Sequence, residues 1–387
     1  MGIISPLALW ITLLIVPVVG CWEWNVRPSI VSHLLFILTL FLLQKYEINK
    51  NLRTLYFMPL IFLVWANCHL GFILGLATTS VTLLFFIFGK DISKTEIKRI
   101  AILLGVCFLV TLLNPHTYKL IPYFFQIAGL QQNDHIHETR SPNFHDRLTL
   151  PYQVIMGLLL ISLTFQRKAS LNMLFLTFGF FIASLHALRL SPYFAFSSGI
   201  VIGQQLNLRP DKRLHDLLLI FERWERGSCV PVIIIILVMS FAVATGHTSR
   251  VIALGFSDTL FPVKACNFAK QHEIPGNLWS DDYWGGYAIF SLFPRYKVCV
   301  DSRLDMYGDK IFFEMRACYL GTFCPDPNII LNKYQINWVL IRKETPLASF
   351  LENDKKWLKI YSDDIAVIFL RNTDTNRIWL GEHGPNL

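Results

Sequence analysis

"LGFILGLATTSVTLLFFIFG", residues 70 to 89, runs for 20 positions without a single charge. A stretch of that length is what an α-helix needs to cross the hydrocarbon of a bilayer, so its reading decides the fold. It is not alone. Further apolar runs lie at Ile3–Gly20, Ser29–Gln44, Leu55–Asn67, Ile100–Leu113, Leu150–Phe165, Leu171–Leu188, Pro192–Leu206 and Val230–Gly246. Of 387 residues 53% are hydrophobic and 16% charged, and mean hydropathy is +0.44. A soluble domain carries about 25% charged residues. The expected architecture is therefore an α-helical polytopic membrane bundle of about nine spans over 1–246, followed by a small C-terminal α/β domain over 247–387. Several runs are short for a span, which suits helices inside a bundle or beside a polar cavity. Ile3–Gly20 has no basic leader and no small-residue cleavage site, so it reads as a helix and not as a cleaved signal.

Charge orients such a bundle. Lys45, Lys50, Arg53, Lys90, Lys94, Lys98, Arg99, Arg167, Lys168 and the basic residues of 209–226 fall in alternate loops. The other loops hold only Arg27, Lys119, Arg140, Arg147 and Arg189. The positive-inside rule puts the first set in the cytoplasm. With nine spans the N-terminus is cytoplasmic and everything after residue 246 is extracytoplasmic. The net charge of +8 is thus an orientation signal, and no nucleic-acid partner is needed to explain it.

In the C-terminal part, 297–303, 336–343 and 364–372 read as strands, and 309–320 and 346–354 as helices. The eight cysteines split between the apolar runs and the C-terminal domain. There a Cys318–Cys324 bridge is possible, and no CxxC pair suggests a structural zinc site. No phosphate-binding glycine loop and no nucleophile elbow occurs.

The polar residues of interest cluster in the loops assigned outside. "CWEWNVRPS" (21–29) holds Trp22, Glu23, Trp24 and Arg27; "WANCHLGF" (65–72) holds Trp65, Asn67 and His69. A longer loop, 131–147, brings Asp134, His135, His137, Glu138, Arg140, His145 and Asp146 together. A carboxylate–imidazole set of this kind can do acid–base work or hold a divalent cation. A solvated polar loop gives the same pattern. Guanidinium groups at Arg27, Arg140 and Arg189 match phosphate oxygens, and the tryptophans suit either an interfacial belt or sugar stacking. In "LWSDDYWGGYAIF" (278–290), Asp281 and Asp282 read as neighbours on an extended link with a glycine turn behind them. Adjacent side chains of a strand face opposite ways, so one of the two can face a cavity and both cannot.

The ordered set "RPSIVSHLLFILTLFLLQKY", "PLIFLVWANCHLGFILGLA", "LLNPHTYKL", "SPNFHD" and "WSDDYWGGYAIF…VCVDSRLDMYGD" resembles bacterial multi-pass membrane proteins related to the GT-C glycosyltransferases. The resemblance runs from about residue 22 to 372. It implies an enzyme of the outer face of the bacterial inner membrane that takes a lipid-linked sugar phosphate of the polyprenyl-phosphate class. Carried onto this sequence, Glu23, Glu138 and His137 stand as catalytic candidates. Arg27, Asn67, His69, Arg140, Arg189, Asp282 and Tyr283 stand as substrate-binding ones. The chain departs from that pattern at the front, where the acidic-pair spans are missing. The resemblance therefore also admits a chain that is inactive alone. The alternative is a non-enzymatic scaffold or accessory subunit, with membrane lipids and a second membrane subunit as partners.

Overall fold

The computed structural model describes residues 19, 27–88, 93–146, 149–164, 169–205, 256–321, 324 and 326–383. The chain divides into two compact units, Met1–Ser228 and Cys229–Leu387.

The N-terminal unit is helical: α1 (Ser29–Asn49), α2 (Met58–Cys68), α3 (Phe72–Phe88), α4 (Lys94–Val110), α5 (Leu120–Ala128), α6 (Leu150–Leu163), α7 (Leu171–His186) and α8 (Ser191–Gln205). Local signals set the ends. Ser93 caps α4 by accepting from the Glu96 N–H at 3.2 Å, and proline occupies the first turn of α2 and of α6, where its missing N–H costs nothing. Phe36, Phe62, Trp65, Phe72 and Phe194 are fully buried at the centre. Phe36 meets Tyr193 edge-on at 4.7 Å, which joins α1 to α8.

The nine-span expectation is corrected by helix length. Among the described residues one helix, α1, with 21 residues, is long and apolar enough to cross a membrane, by length and composition. At 1.5 Å per residue it spans about 31 Å, the thickness of the hydrocarbon layer. The decisive run 70–89 becomes a helix of 17 residues, α3. It loses its first residues to a turn, in which His69 is extended and its Nδ1 accepts from the Gly71 N–H; only glycine fits at 71, where a Cβ would meet the Ser32 hydroxyl. The run Leu55–Asn67 begins as a 3-10 turn, and α2 has only 11 residues. Ile100–Leu113 becomes the end of a helix that starts at Lys94 and carries charges on its first turns. Uninterrupted hydrophobicity placed the helices and overstated their span; many of the apolar side chains in these runs, such as Phe41, Leu60, Phe88 and Leu171, are exposed. The runs Ile3–Gly20, apart from Val19, and Val230–Gly246 lie outside the described residues. The orientation by an odd number of crossings therefore loses its basis.

The C-terminal unit carries a four-stranded mixed sheet: β1 (Asn277–Ser280), β2 (Ile336–Arg342), β3 (Trp357–Ser362) and β4 (Ala366–Arg371), in the order β1-β2-β4-β3. β1 runs parallel to β2; the other pairings are antiparallel. Its helices are α9 (Val263–His272), α10 (Asp282–Leu292), α11 (Leu304–Leu320), α12 (Asn328–Lys333), α13 (Pro346–Asn353) and α14 (Asp374–His383). Strand alternation gives the sheet two apolar faces. Leu278, Trp338, Leu340, Ile368 and Leu370 pack with α9 and α10. Trp279, Val339, Ile341, Val367 and Phe369 pack with α11, α12 and α13.

β2 and β4 lie within two of the runs read as strands. The third, 297–303, supplies a single bridge, Val298 to Leu278, because Asp301 turns inward to bind Arg303 and Tyr307. The reading of 281–286 as strand and turn is also corrected. Asp281 is the N-cap of α10 and accepts from the Trp284 N–H at 2.7 Å, and both glycines are helical. Cys318 and Cys324 are free thiols; burial pushes the Cys318 thiol up to about 12.

Candidate functional site

The polar residues of the N-terminal unit converge on the turns that join its helices. Arg27, at the foot of α1, donates to Glu138 Oε2 at 3.1 Å across 111 residues of sequence. Two short 3-10 turns, 131–135 and 137–139, carry the acidic–histidine loop. The loop is fastened from within by Thr149, whose hydroxyl donates to the carbonyls of Asn143 and Asp146, each at 2.8 Å. It is fastened from outside where the Leu188 N–H donates to the Arg140 carbonyl at 2.8 Å. That last bond seats the 137–139 turn on the turn Leu188–Leu190, which carries Arg189. The Arg140 side chain donates through Nε to the Asp134 carbonyl.

His69 is held by a relay that the sequence did not suggest. The indole N–H of Trp65 donates to Ser32 Oγ at 2.7 Å, and Ser32 Oγ lies 2.7 Å from His69 Nδ1. The Gly71 backbone N–H donates to the same Nδ1 at 3.1 Å. Both N–H donors have fixed hydrogens, so Nδ1 must be the unprotonated nitrogen and the Ser32 hydroxyl points its proton at it. His69 is thereby set as a neutral imidazole carrying its proton on Nε2. Burial first, then the nearby His33 and Arg189, hold its pKa below the ordinary histidine value.

Of the residues singled out in the sequence, Arg27 and Glu138 are paired directly, Arg140 is joined through its backbone to the turn that carries Arg189, and His69 lies within electrostatic reach of Arg189. His137 stands 3.9 Å from the Asp146 carboxylate. Asn67 does different work. Its side chain donates to the carbonyls of Leu63 (2.8 Å) and Leu113 (3.0 Å), bracing the end of α2 against the end of α4. Glu23, with Trp22 and Trp24, lies outside the described residues. Glu138 is engaged by a cation and is not a free carboxylate. Among the described residues no group of three or more His, Cys, Asp or Glu side chains could hold a metal ion.

Asp282 and Tyr283 belong to the other unit, on the exposed side of the first turn of α10. The Tyr283 ring is covered by the Arg342 guanidinium at 4.6 Å. Its neighbour Asp281 is the buried acid, 3% exposed, with Arg342 Nε 3.5 Å from Oδ2. Burial raises its pKa to about 6 against the pull of the Trp284 N–H and Arg342. Asp301 is the opposite case: the Arg303 guanidinium, with the Tyr307 hydroxyl, holds it down at about 2. The sequence reading singled out Asp281 with Asp282 but set it on an extended link and not as a helix cap, and it passed over Arg342. The signal for the cap was an acid one position ahead of a helical run. Nothing local marks Arg342.

Neither a known protein family nor a curated protein sequence matches this chain.

Proposed function

We propose that this is a membrane-associated, glycosyltransferase-like protein whose N-terminal unit takes a lipid-linked sugar phosphate at the Arg27–Arg140–Arg189 patch. The observation that carries the reading is the Arg27–Glu138 ion pair beside Arg140 and Arg189. Arg27 pairs with Glu138, the Arg140 backbone is bonded to the turn that carries Arg189, and Arg189 is within electrostatic reach of the neutral His69 imidazole. Guanidinium groups and an N–H donor suit the oxygens of a departing phosphate. In this scheme the phosphate takes over Arg27, and Glu138 is released to accept the proton of an acceptor hydroxyl as the new glycosidic bond forms.

Charge around α1 supports placing the patch on the extracytoplasmic face of a bacterial inner membrane. Lys45, Lys50 and Arg53 gather at the C-terminal end of that helix, whereas Arg27 stands at its start, and basic ends stay inside.

The test is sugar transfer from a polyprenyl-phosphate donor in membranes carrying the full-length chain. Replacing Arg27, Arg140 and Arg189 together by glutamine is expected to lower transfer by about 100-fold or more. Transfer at the unmodified rate in that variant would remove the mechanism.

A second reading, an accessory subunit that presents its loops to an enzymatic partner, is favoured by the pinned state of the 131–149 loop. Its carboxylate is paired and its backbone is tied to Leu188. That reading predicts no transfer by the purified chain and a membrane subunit that co-purifies with it.

A further inference from the structure

The C-terminal sheet changes direction around β1. The chain leaves β1 through α10, on one face of the sheet, and returns beside it at Val298. It then passes through α11 and α12 on the other face and enters β2, on the opposite edge of β1. Two parallel strands whose following helices diverge to opposite faces leave a crevice beyond their carboxyl ends, where open α/β sheets bind ligands. Here the crevice lies between Ser280–Asp281 and Arg342.

Three buried polar atoms belong to these strand ends. Ser280 Oγ, Asp281 Oδ2 and Arg342 Nε are buried and have no hydrogen-bond partner among the described residues. Ser280 is 0% exposed and Asp281 3%. A buried polar group without a partner costs about 1–3 kcal/mol, so the unpartnered Ser280 hydroxyl, next in sequence to an ion pair that makes no hydrogen bond, calls for a ligand. Asp281 Oδ2 and Arg342 Nε stand 3.5 Å apart, an ion pair without a hydrogen bond. The Arg342 side chain is 43% exposed. It is the solvent-facing member of the three and lies over the Tyr283 and Trp284 rings at 4.6 and 5.3 Å.

The chemistry of the groups selects the ligand. An anion is disfavoured, because the first turn of α10 is already capped by Asp281 and followed by Asp282. A cation is disfavoured by Arg342. A pair of adjacent hydroxyls satisfies all three groups: one donates to the carboxylate, the other accepts from the guanidinium, and Ser280 Oγ can do either. Tyr319 lies within electrostatic reach of Asp281 and Arg342 and adds a further hydroxyl.

We propose that the carboxyl ends of β1 and β2 form a binding site for a neutral polyhydroxylated small molecule of the sugar class, held by Ser280, Asp281 and Arg342. This site is independent of the phosphate patch and stands whether or not that patch binds phosphate.

The experiment is a calorimetric titration of the full-length protein, in a sugar-free detergent, with glucose as the probe. Inorganic phosphate and ethanolamine serve as the charged alternatives. Saturable glucose binding is expected, weakened about tenfold or more by Asp281→Asn and by Ser280→Ala. Both variants keep the fold: asparagine caps a helix as well as aspartate, and Ser280 Oγ leaves no broken bond behind. The triple arginine variant of the N-terminal unit should bind glucose unchanged. Absence of saturable glucose binding, binding by the Ser280 and Asp281 variants as tight as by the parent, or displacement by phosphate or ethanolamine would each overturn the proposal.

Discussion

Gly285→Ala is expected to destabilise the C-terminal unit by about 3 kcal/mol or more, while Gly286→Ala, one residue on, should stabilise it slightly. Both glycines lie inside α10, where alanine is favoured over glycine by about 0.5–1 kcal/mol. At Gly286 nothing lies within 4 Å of an added Cβ, so that preference decides. At Gly285 the Cβ would stand 2.4 Å from the Val300 carbonyl oxygen and 2.7 Å from Asp301 Cα. Those are backbone atoms of a segment that Asp301 anchors through Arg303 and Tyr307, and they cannot rotate away. Steric overlap therefore outweighs propensity. Urea unfolding of the two variants, followed by tryptophan fluorescence, gives the comparison. Equal midpoints would mean that α10 does not sit against residues 300–301.

The second large effect is a dependence on pH that a single carboxyl imposes. Asp281 titrates near 3.8 when the chain is unfolded and at about 6 in the folded unit. Between these values the folded state holds a proton that the unfolded state has released. The contribution of Asp281 to stability is thus fully present below about pH 4 and is lost as pH rises to about 6. Two units at ~1.4 kcal/mol each give about 3 kcal/mol. Asp281→Asn keeps the cap and should remove this slope, leaving a variant more stable than the parent at neutral pH. Asp301 does not confuse the measurement. Its pKa is depressed to about 2, so its contribution is complete above its ordinary value and is lost only as pH falls through about 2. That contribution is worth about 1–2 kcal/mol, discounted because its partner Arg303 is largely in water. Urea midpoints across this range, for parent and Asp281→Asn, decide the matter. Parallel profiles would show that Asp281 is not the group responsible.

What could be read from the sequence and what could not divides along physical lines. The apolar runs gave the positions of α1, α3, α6, α7 and α8 well, because these helices are apolar on their exposed as well as their buried faces. They did not give length, since the residues that end a helix are chosen by contacts such as the Gly71 N–H on His69 Nδ1. β2 and β4 were legible from their branched and aromatic runs. β1, four residues long, was too short to register, and β3 lacks clean alternation, its register shifting between Lys359 and Tyr361. The tract "DDYWGGY" reads as a turn because two glycines disfavour helix; packing against residues 300–301 overrides that preference. In the candidate site, charge type identified Arg27, Glu138, Arg140 and Arg189. The relay that fixes His69 joins residues 33 and 37 positions apart, a distance at which one sequence carries no pairing signal.

The mixed sheet also fixes an order of assembly. β2, β3 and β4 lie within 36 consecutive residues, Ile336 to Arg371, and their antiparallel pairing needs only short loops to close. The parallel pairing of β1 with β2 joins residues more than 50 apart and must close a far longer loop before any contact rewards it. The hairpin half of the sheet is the early scaffold and β1 its late arrival. The crevice at Ser280 and Asp281 is then the last part of this unit to exist, and pulse-labelled amide exchange that protected β1 ahead of β3 and β4 would contradict that sequence of events. A nascent chain meets the same order in reverse: β1 leaves the ribosome first and waits, unpaired, for the strand that completes it.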